Sequence, residues 1–386
     1  MGLPVAVALT DLQRHQAGTA TIAPMPVSKS LRDELQNTAD ECIDCGKCMS
    51  LCRFLAESGS PVSIALKGLS SDKEIDSLSV RSYECSTCGL CSAVCPVEVE
   101  PERMFKELRN HAQANGLFKL KQHTPLLKYE KLGRRFPFKG EFIPESCNAV
   151  FFPGCTLPAM FPDATRTTYK ILKHQDPRTG LVLNCCSKPS KMLGLKSRHE
   201  ENLSSLLHRM ERMGIKKIIT ACPNCHMTFK EFNTKLEIVS IYQKLKTARF
   251  APVRPKITEV TIHDPCVTRY ETEMHEDVRV LLKAVGVQVV EMKHNRTKTL
   301  CCGEGGATQF YNKIYAKNWS RKRITEAKRV GVPMVSYCAG CVNFLGHEHP
   351  TAHVLDLLLV KRKRIPKPVA FPFNYLNRLI LRFSVR

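Results

Sequence analysis

The chain has 386 residues, 43% of them apolar and 24% charged, which excludes a disordered or fibrous polymer and provides for two or three packed domains. Lysine and arginine outnumber aspartate and glutamate 58 to 36, a formal charge of +22, and there are 19 cysteines. No stretch reaches the roughly 18 uncharged apolar residues of a membrane span, the opening lacks the pattern of a secretory signal, and Ala6 breaks the myristoylation pattern. So many thiols in a long chain without an export signal point to metal in a reducing, cytoplasmic compartment rather than to a disulfide framework.

In chain order, residues 1–38 carry little pattern and read as an arm. Residues 39–115 hold two cysteine runs, Cys42, Cys45, Cys48, Cys52 and Cys85, Cys88, Cys91, Cys95, the second followed by Pro96. Both read C-x2-C-x2-C-x3-C, the bacterial ferredoxin spacing for two [4Fe-4S] cubanes. A tight loop lets three thiolates of one run reach three irons of one cube, while the fourth sits too far round and serves the other. The expected ligand sets are therefore Cys42, Cys45, Cys48 with Cys95, and Cys85, Cys88, Cys91 with Cys52. Zinc, the alternative, needs four ligands per site and explains neither the rhythm nor its duplication. Between the runs, 58–61 marks a loop and 63–69 a helical turn or two. Pro101 suits the first turn of a helix running to about Ala114.

A basic, proline-containing linker, 116–146, leads to a repeat. Cys155 is followed by Cys185-Cys186 and then Cys222-Pro-Asn-Cys225. Cys266 is followed by Cys301-Cys302 and then Cys338-Ala-Gly-Cys341, a period of 111–116 residues. The halves are 147–252 and 253–360, and Cys147, outside the pattern, reads as structural. Short apolar runs at 149–152, 181–183, 217–220 and 236–241 in the first half have counterparts at 260–262, 287–290, 333–336 and 353–359. Amphipathic stretches at 201–213 and 312–329 separate them. The predicted fold class is a ferredoxin-like helical module followed by two repeated α/β subdomains, α+β and α/β overall, with the cysteines at strand carboxyl ends. The tail, 361–386, opens with four cations, Lys361 to Arg364. It then becomes amphipathic through Phe371, Phe373, Tyr375, Leu376, Leu379, Ile380 and Phe383, resembling an interfacial anchor for an anionic membrane surface or a docking segment for a partner protein.

No dinucleotide or phosphate-binding glycine motif is present, so no flavin or NAD site is expected in this chain. Nucleic acid is not an expected partner, because thiolate-bound clusters offset several of the positive charges. His226 and His263 adjoin cysteines and are candidates for proton delivery or for plain turn hydrogen bonding. Arg269 and Lys188 are candidates for steering an anionic substrate or for surface solvation. Gly303, Gly305 and Gly306 read as positions of close backbone approach.

The doubled Cys-x(29–34)-Cys-Cys-x35-Cys-x-x-Cys pattern resembles the cysteine-rich "CCG" domains of the heterodisulfide reductase family. With a two-cubane module in front, residues 39–360 look like the membrane-associated catalytic members of that family, its D subunits. The resemblance implies two non-cubane [4Fe-4S] clusters with catalytic cysteines, one on Cys155, Cys185, Cys186, Cys222 and Cys225, the other on Cys266, Cys301, Cys302, Cys338 and Cys341. It implies reduction or formation of a disulfide, each special cluster taking one sulfur. It also implies electrons from a membrane cytochrome b or quinone-reactive subunit, or from a flavoprotein, with the chain peripheral on the inner face of the membrane. The alternative is an electron-relay subunit of an FAD-linked dehydrogenase of glycerol-3-phosphate, glycolate or lactate type. Those relatives commonly lack part of one CCG motif, and all ten cysteines are kept here. Ser187 stands where the family has glycine after the first cysteine pair.

Overall fold

A computed structural model describes residues 25–232 and 234–385. The expected arm falls largely outside them, but its end is ordered into the helix Lys29–Glu41. Ser28 caps it by accepting from the Leu31 amide at 3.2 Å, and Leu31 and Leu35, one turn apart, are wholly buried. Ser60 and Ser71 cap the next helices, Pro61–Ser70 and Asp72–Arg81, in the same way. What reads locally as a loop with a turn or two is thus a helical insert. Its apolar faces (Phe54, Leu55, Ile64, Ile75, Leu78) close with Leu31, Leu35 and the helix Pro101–Ala114 (Met104, Phe105, Leu108) into one core. That core places the two ferredoxin runs on its surface.

The expected linker is also structured. It contains the helix Thr124–Gly133 and the strand β1 (Gly140–Phe142). Glu130 pins the helix, its buried carboxylate accepting from the Ser190 amide at 2.8 Å and the Ser190 hydroxyl at 2.7 Å.

The repeat is visible as two sheets. The first has the order β1-β3-β2-β4-β5, where β2 is Ala149–Phe152, β3 Gly180–Leu183, β4 Lys217–Thr220 and β5 Glu237–Ser240. The second has the order β7-β6-β8-β9, with β6 Glu259–His263, β7 Gln288–Val289, β8 Met334–Ser336 and β9 Thr351–His353. Only β1 is antiparallel, on β3. The apolar runs at 236–241 and 353–359 divide in the same manner. Each is a strand for its first residues and then a helix, Ile241–Thr247 or Val354–Leu359. In both, the residue at the junction caps the amide two places on: Ser240 to Tyr242 at 3.1 Å, and His353 to Leu355 at 3.2 Å. Every residue of Val354–Leu359 is buried, so its periodicity could not separate strand from helix.

The halves share one hydrophobic core, running from Phe151 and Leu181 to Ile262, Val335 and Leu355. They pack reciprocally. The helix Pro162–Gln175 of the first half meets Val354–Leu359 of the second, while Thr272–Ala284 of the second meets Ile241–Thr247 of the first. The helices that follow the CxxC cysteines do the same. Pro223–Lys230 lies on the Cys266–Thr268 turn, and Ala339–Leu345 on Thr156–Met160. This exchange turns the carboxyl ends of both sheets toward each other.

Candidate metal centre and shared cavity

The ferredoxin cysteines fall into two groups around two small hollows. Cys42, Cys45, Cys48, Cys91 and Cys95 line one, and Cys48, Cys52, Cys85, Cys88 and Cys91 line the other, so that Cys48 and Cys91 border both. Cys45 is exposed, as is its neighbour Ile43. The second group is deep, and burial pushes the Cys52 thiol up to about 12.

The repeat cysteines meet in one place. A cavity of about 270 Å³ is lined by Cys155, Cys185, Cys186, Cys222 and Cys225 from the first half and Cys266, Cys302, Cys338 and Cys341 from the second. The tenth, Cys301, lies between Cys266 and Cys302 on one side and Cys88 on the other, and draws the Cys88 thiol down to about 7. The halves touch across the cavity, Asn224 Nδ2 donating to Cys338 Sγ at 3.8 Å. The donor set suits iron–sulfur clusters. Sulfur atoms of Cys155 and Cys185 lie 4.0 Å apart, and the backbone beside the thiols is glycine where a side chain would fill their space. A Cβ at Gly154 would lie 3.0 Å from Cys225 Sγ, and one at Gly305 would lie 3.0 Å from Cys301 Sγ.

Lys188, Asn224, Glu304, Asn343 and Asn374 add polar groups to the cavity wall, and Met160, Met192, Val267 and Phe310 apolar ones. Burial holds the Glu304 carboxyl up at about 8. Of the two histidines, His263 is wholly buried within a cluster formed with Cys302 and Cys341, and neither ring nitrogen has a hydrogen-bond partner among the described residues. His226 is committed elsewhere, Nδ1 to the Thr220 hydroxyl at 2.9 Å and Nε2 to Glu271. Cys147 is buried and donates to the Ala149 carbonyl, consistent with a packing role.

Arg269 neither steers a substrate nor lies in solvent. It is 2% exposed and donates to the Cys88 carbonyl at 2.9 Å and the Thr299 carbonyl at 3.0 Å, fastening a ferredoxin loop to the second half. Arg109, whose role local sequence did not signal, fastens three parts at once. From the helix Pro101–Ala114 it donates to the carbonyls of Ser82 at 3.0 Å, Cys85 at 2.5 Å, Met192 at 2.6 Å and Gly306 at 2.8 Å. Carbonyl acceptors leave no signature in a sequence, so neither arginine could be assigned from spacing.

Ser187 occupies the left-handed region, φ 61°, and its counterpart Gly303 has φ 105°. The turn after each cysteine pair thus requires positive φ, which glycine supplies without strain. Ser187 is held there by Asn202, which donates to its hydroxyl at 3.0 Å, and by His199 on its carbonyl at 3.0 Å.

The tail turns inward as well as outward. It forms the helix Phe373–Ser384, which packs on Thr156–Met160 and Pro162–Gln175 and buries Arg378 and Leu381. Phe373, Leu376, Ile380 and Phe383 keep an exposed apolar face, beside exposed Phe371 and Phe136. Among the described residues, no helix is long and apolar enough to cross a membrane.

Sequence comparisons agree with this layout. A cysteine-rich domain matches residues 149–230 and again 260–346, and a 4Fe-4S dicluster domain matches residues 38–99. An uncharacterized iron-sulfur protein of Methanocaldococcus jannaschii is 25% identical over 69% of this chain, which spans 59% of that protein's length. The B subunit of a fumarate reductase (CoM/CoB) from Methanothermobacter marburgensis is 25% identical over 78% of this chain and 66% of its own. The D subunit of the dihydromethanophenazine:CoB–CoM heterodisulfide reductase of Methanosarcina barkeri is 22% identical over 77% of this chain and 85% of its own. A 4Fe-4S dicluster domain followed by two matches to a cysteine-rich domain marks the chain as an iron–sulfur protein, similar over about three quarters of its length to the D subunits of heterodisulfide reductases.

Proposed function

We propose that the chain is the subunit of an oxidoreductase complex that reduces, or forms, a disulfide in the cavity between its two cysteine-rich halves. The observation that carries this is the convergence of nine repeat cysteines, from both halves, on one cavity. A subunit that only passes electrons along needs no such shared space. Cys42, Cys45, Cys48 and Cys95 would hold one cubane, and Cys52, Cys85, Cys88 and Cys91 another. The two sets of five repeat cysteines would each hold a non-cubane [4Fe-4S] cluster. When bound, these groups supply one-electron carriers and sulfur-binding iron, so that RSSR′ with two electrons and two protons becomes RSH and R′SH.

The chain's own residues arrange that chemistry. Cys88 against Cys301, with Arg269 across the same seam, sets the deep ferredoxin group directly on the second half. Met160, Met192, Val267 and Phe310 give the substrate's carbon chain a dry wall, and the Lys188 ammonium suits an anionic end. The exposed edge at Ile43 and Cys45 is where a cytochrome, quinone-reactive or flavoprotein subunit would deliver electrons. The outward face of Phe373–Ser384, in a tail that holds eight cations and no carboxylate side chain, fits peripheral attachment to an anionic membrane surface.

The test is a pair of substitutions, Cys186→Ser and Cys302→Ser, assayed with a reduced artificial donor. Either should stop disulfide reduction while the ferredoxin module still takes up electrons. Full activity in Cys186→Ser would overturn this reading in favour of an electron relay.

A further inference from the structure

The two halves are not equivalent in how they treat charge. In the second, the helix Lys313–Val330 buries Arg323 near Cys302. The corresponding helix of the first half, Lys196–Arg212, buries His199, Leu203, Leu206, Leu207 and Met210, and no arginine. Besides Lys188 on the cavity wall, a second cation reaches the first site from outside the repeat. Arg378 of the C-terminal helix is 4% exposed, its guanidinium 5.0 Å from the Tyr129 ring centroid and 4.8 Å from that of Phe138. A Cβ placed at Gly133 would lie 3.1 Å from Arg378 Nη2, 3.2 Å from Cys185 Cβ and 3.8 Å from Cys155 Cβ. The guanidinium and these two cysteines therefore crowd one point, where only glycine leaves them room. Arg378 Nη1 is buried and has no hydrogen-bond partner among the described residues.

A buried cation with an unused donor is costly unless an anion meets it. Five thiolates around a [4Fe-4S] core carry net negative charge, and the guanidinium sits beside two of those cysteines, Cys155 and Cys185, at Gly133. We propose that Arg378 is a buried counter-cation of the first cysteine-rich site, so that the C-terminal helix is part of the wall of that site. This rests on the reading that Cys155, Cys185, Cys186, Cys222 and Cys225 hold a cluster. A fixed positive charge at that distance favours the more negative, reduced state, so removing it lowers the potential at which the first site accepts its electron.

The experiment compares Arg378→Gln and Arg378→Lys in the full chain, purified anaerobically, by iron content and by paramagnetic resonance through a redox titration. Arg378→Gln should shift one cavity-site signal by at least tenfold in its reduction equilibrium, about 59 mV for a one-electron couple. The other signals should stay put, and Arg378→Lys should stay close to the parent. Loss of one cluster's iron from the Gln variant alone also supports the assignment. An unshifted signal at full iron content overturns it, and so does an equal shift or equal iron loss in both variants, which would mark packing rather than charge. A parent protein with no cavity-site signal, and about eight irons rather than about sixteen, would overturn the cluster reading itself.

Discussion

Gly306 lies where the second cysteine-rich half meets the deep ferredoxin loop, and replacing it with alanine tests that seam. Two costs add. Its φ is +61°, where an L side chain is strained by about 1–2 kcal/mol. The added Cβ would also sit 2.7 Å from the Cys85 carbonyl oxygen and 2.9 Å from the Ser86 carbonyl carbon. Those are backbone atoms, and Arg109 and the Thr308 hydroxyl both hold the Cys85 carbonyl, so they cannot swing aside like a flexible side chain. Overpacking of this kind costs about 1–3 kcal/mol, and the total is about 2–5 kcal/mol. Gly286 is the control. Its φ is +80°, yet a Cβ there meets nothing within 4 Å, so Gly286→Ala should cost only the strain, about 1 kcal/mol. Chemical denaturation of the two variants under anaerobic conditions, read at midpoint and slope, makes the comparison. Equal losses would refute the claim that the two modules press backbone to backbone at this point.

Ser187→Gly should change stability by no more than about 1 kcal/mol, because relief of strain is offset by the lost Asn202 hydrogen bond and by glycine's larger unfolded-state entropy. The reverse change in the second half, Gly303→Ser, should cost about 3 kcal/mol or more in the same assay, since its Cβ would meet the Ala316 carbonyl oxygen at 2.5 Å and the Phe344 ring at 2.6 Å. Arg109→Met takes a donor from four carbonyls, leaving Cys85 only the Thr308 hydroxyl and Ser82 only the Cys85 amide, and should destabilise the chain by at least about 3 kcal/mol, measured by denaturation. For the tail, Phe373→Ser with Ile380→Ser should weaken sedimentation with anionic liposomes and leave cavity-site iron unchanged. Undiminished liposome binding would move the membrane contact elsewhere on the molecule. These outward-facing substitutions are cleaner than deleting 370–386, which would also strip Arg378 from the first site.

The cysteine spacing and the strand positions were legible because both are local. A CxxC turn needs neighbouring residues, and a strand such as β4 announces itself by a short apolar run ending at its cysteine. The helix Pro101–Ala114 was equally plain from its opening proline. Three things were not legible. The helix Lys29–Glu41 has few apolar residues, and its stability comes from burying Leu31 and Leu35 on elements 20 to 80 residues away. The helices Ile241–Thr247 and Val354–Leu359 continue apolar runs that begin as strands, and a fully buried helix has no polar stripe to betray it. Arg109, Arg269 and Arg378 look like ordinary contributors to a basic chain. Their roles depend on carbonyls, rings and thiols that the fold brings from distant positions, and +22 in the sequence conceals cations that are wholly interior.

The four carbonyls gathered by Arg109 bear on how far the chain can be taken apart. Sequence alignment draws a clean boundary, with a dicluster unit ending at residue 99 and cysteine-rich units beginning at 149. The Arg109 guanidinium ignores that boundary, as does the Tyr83 hydroxyl, which donates to the Leu193 carbonyl at 2.8 Å. A fragment cut at residue 99 would lose the arginine itself, and one cut after the helix Pro101–Ala114 would keep it but lose Met192 and Gly306. The excised remainder would bare those same carbonyls to water along with the apolar seam around them. The units recognisable by homology are therefore not units of self-sufficiency, and a chimera that swaps one of them must carry its matching acceptors across the joint.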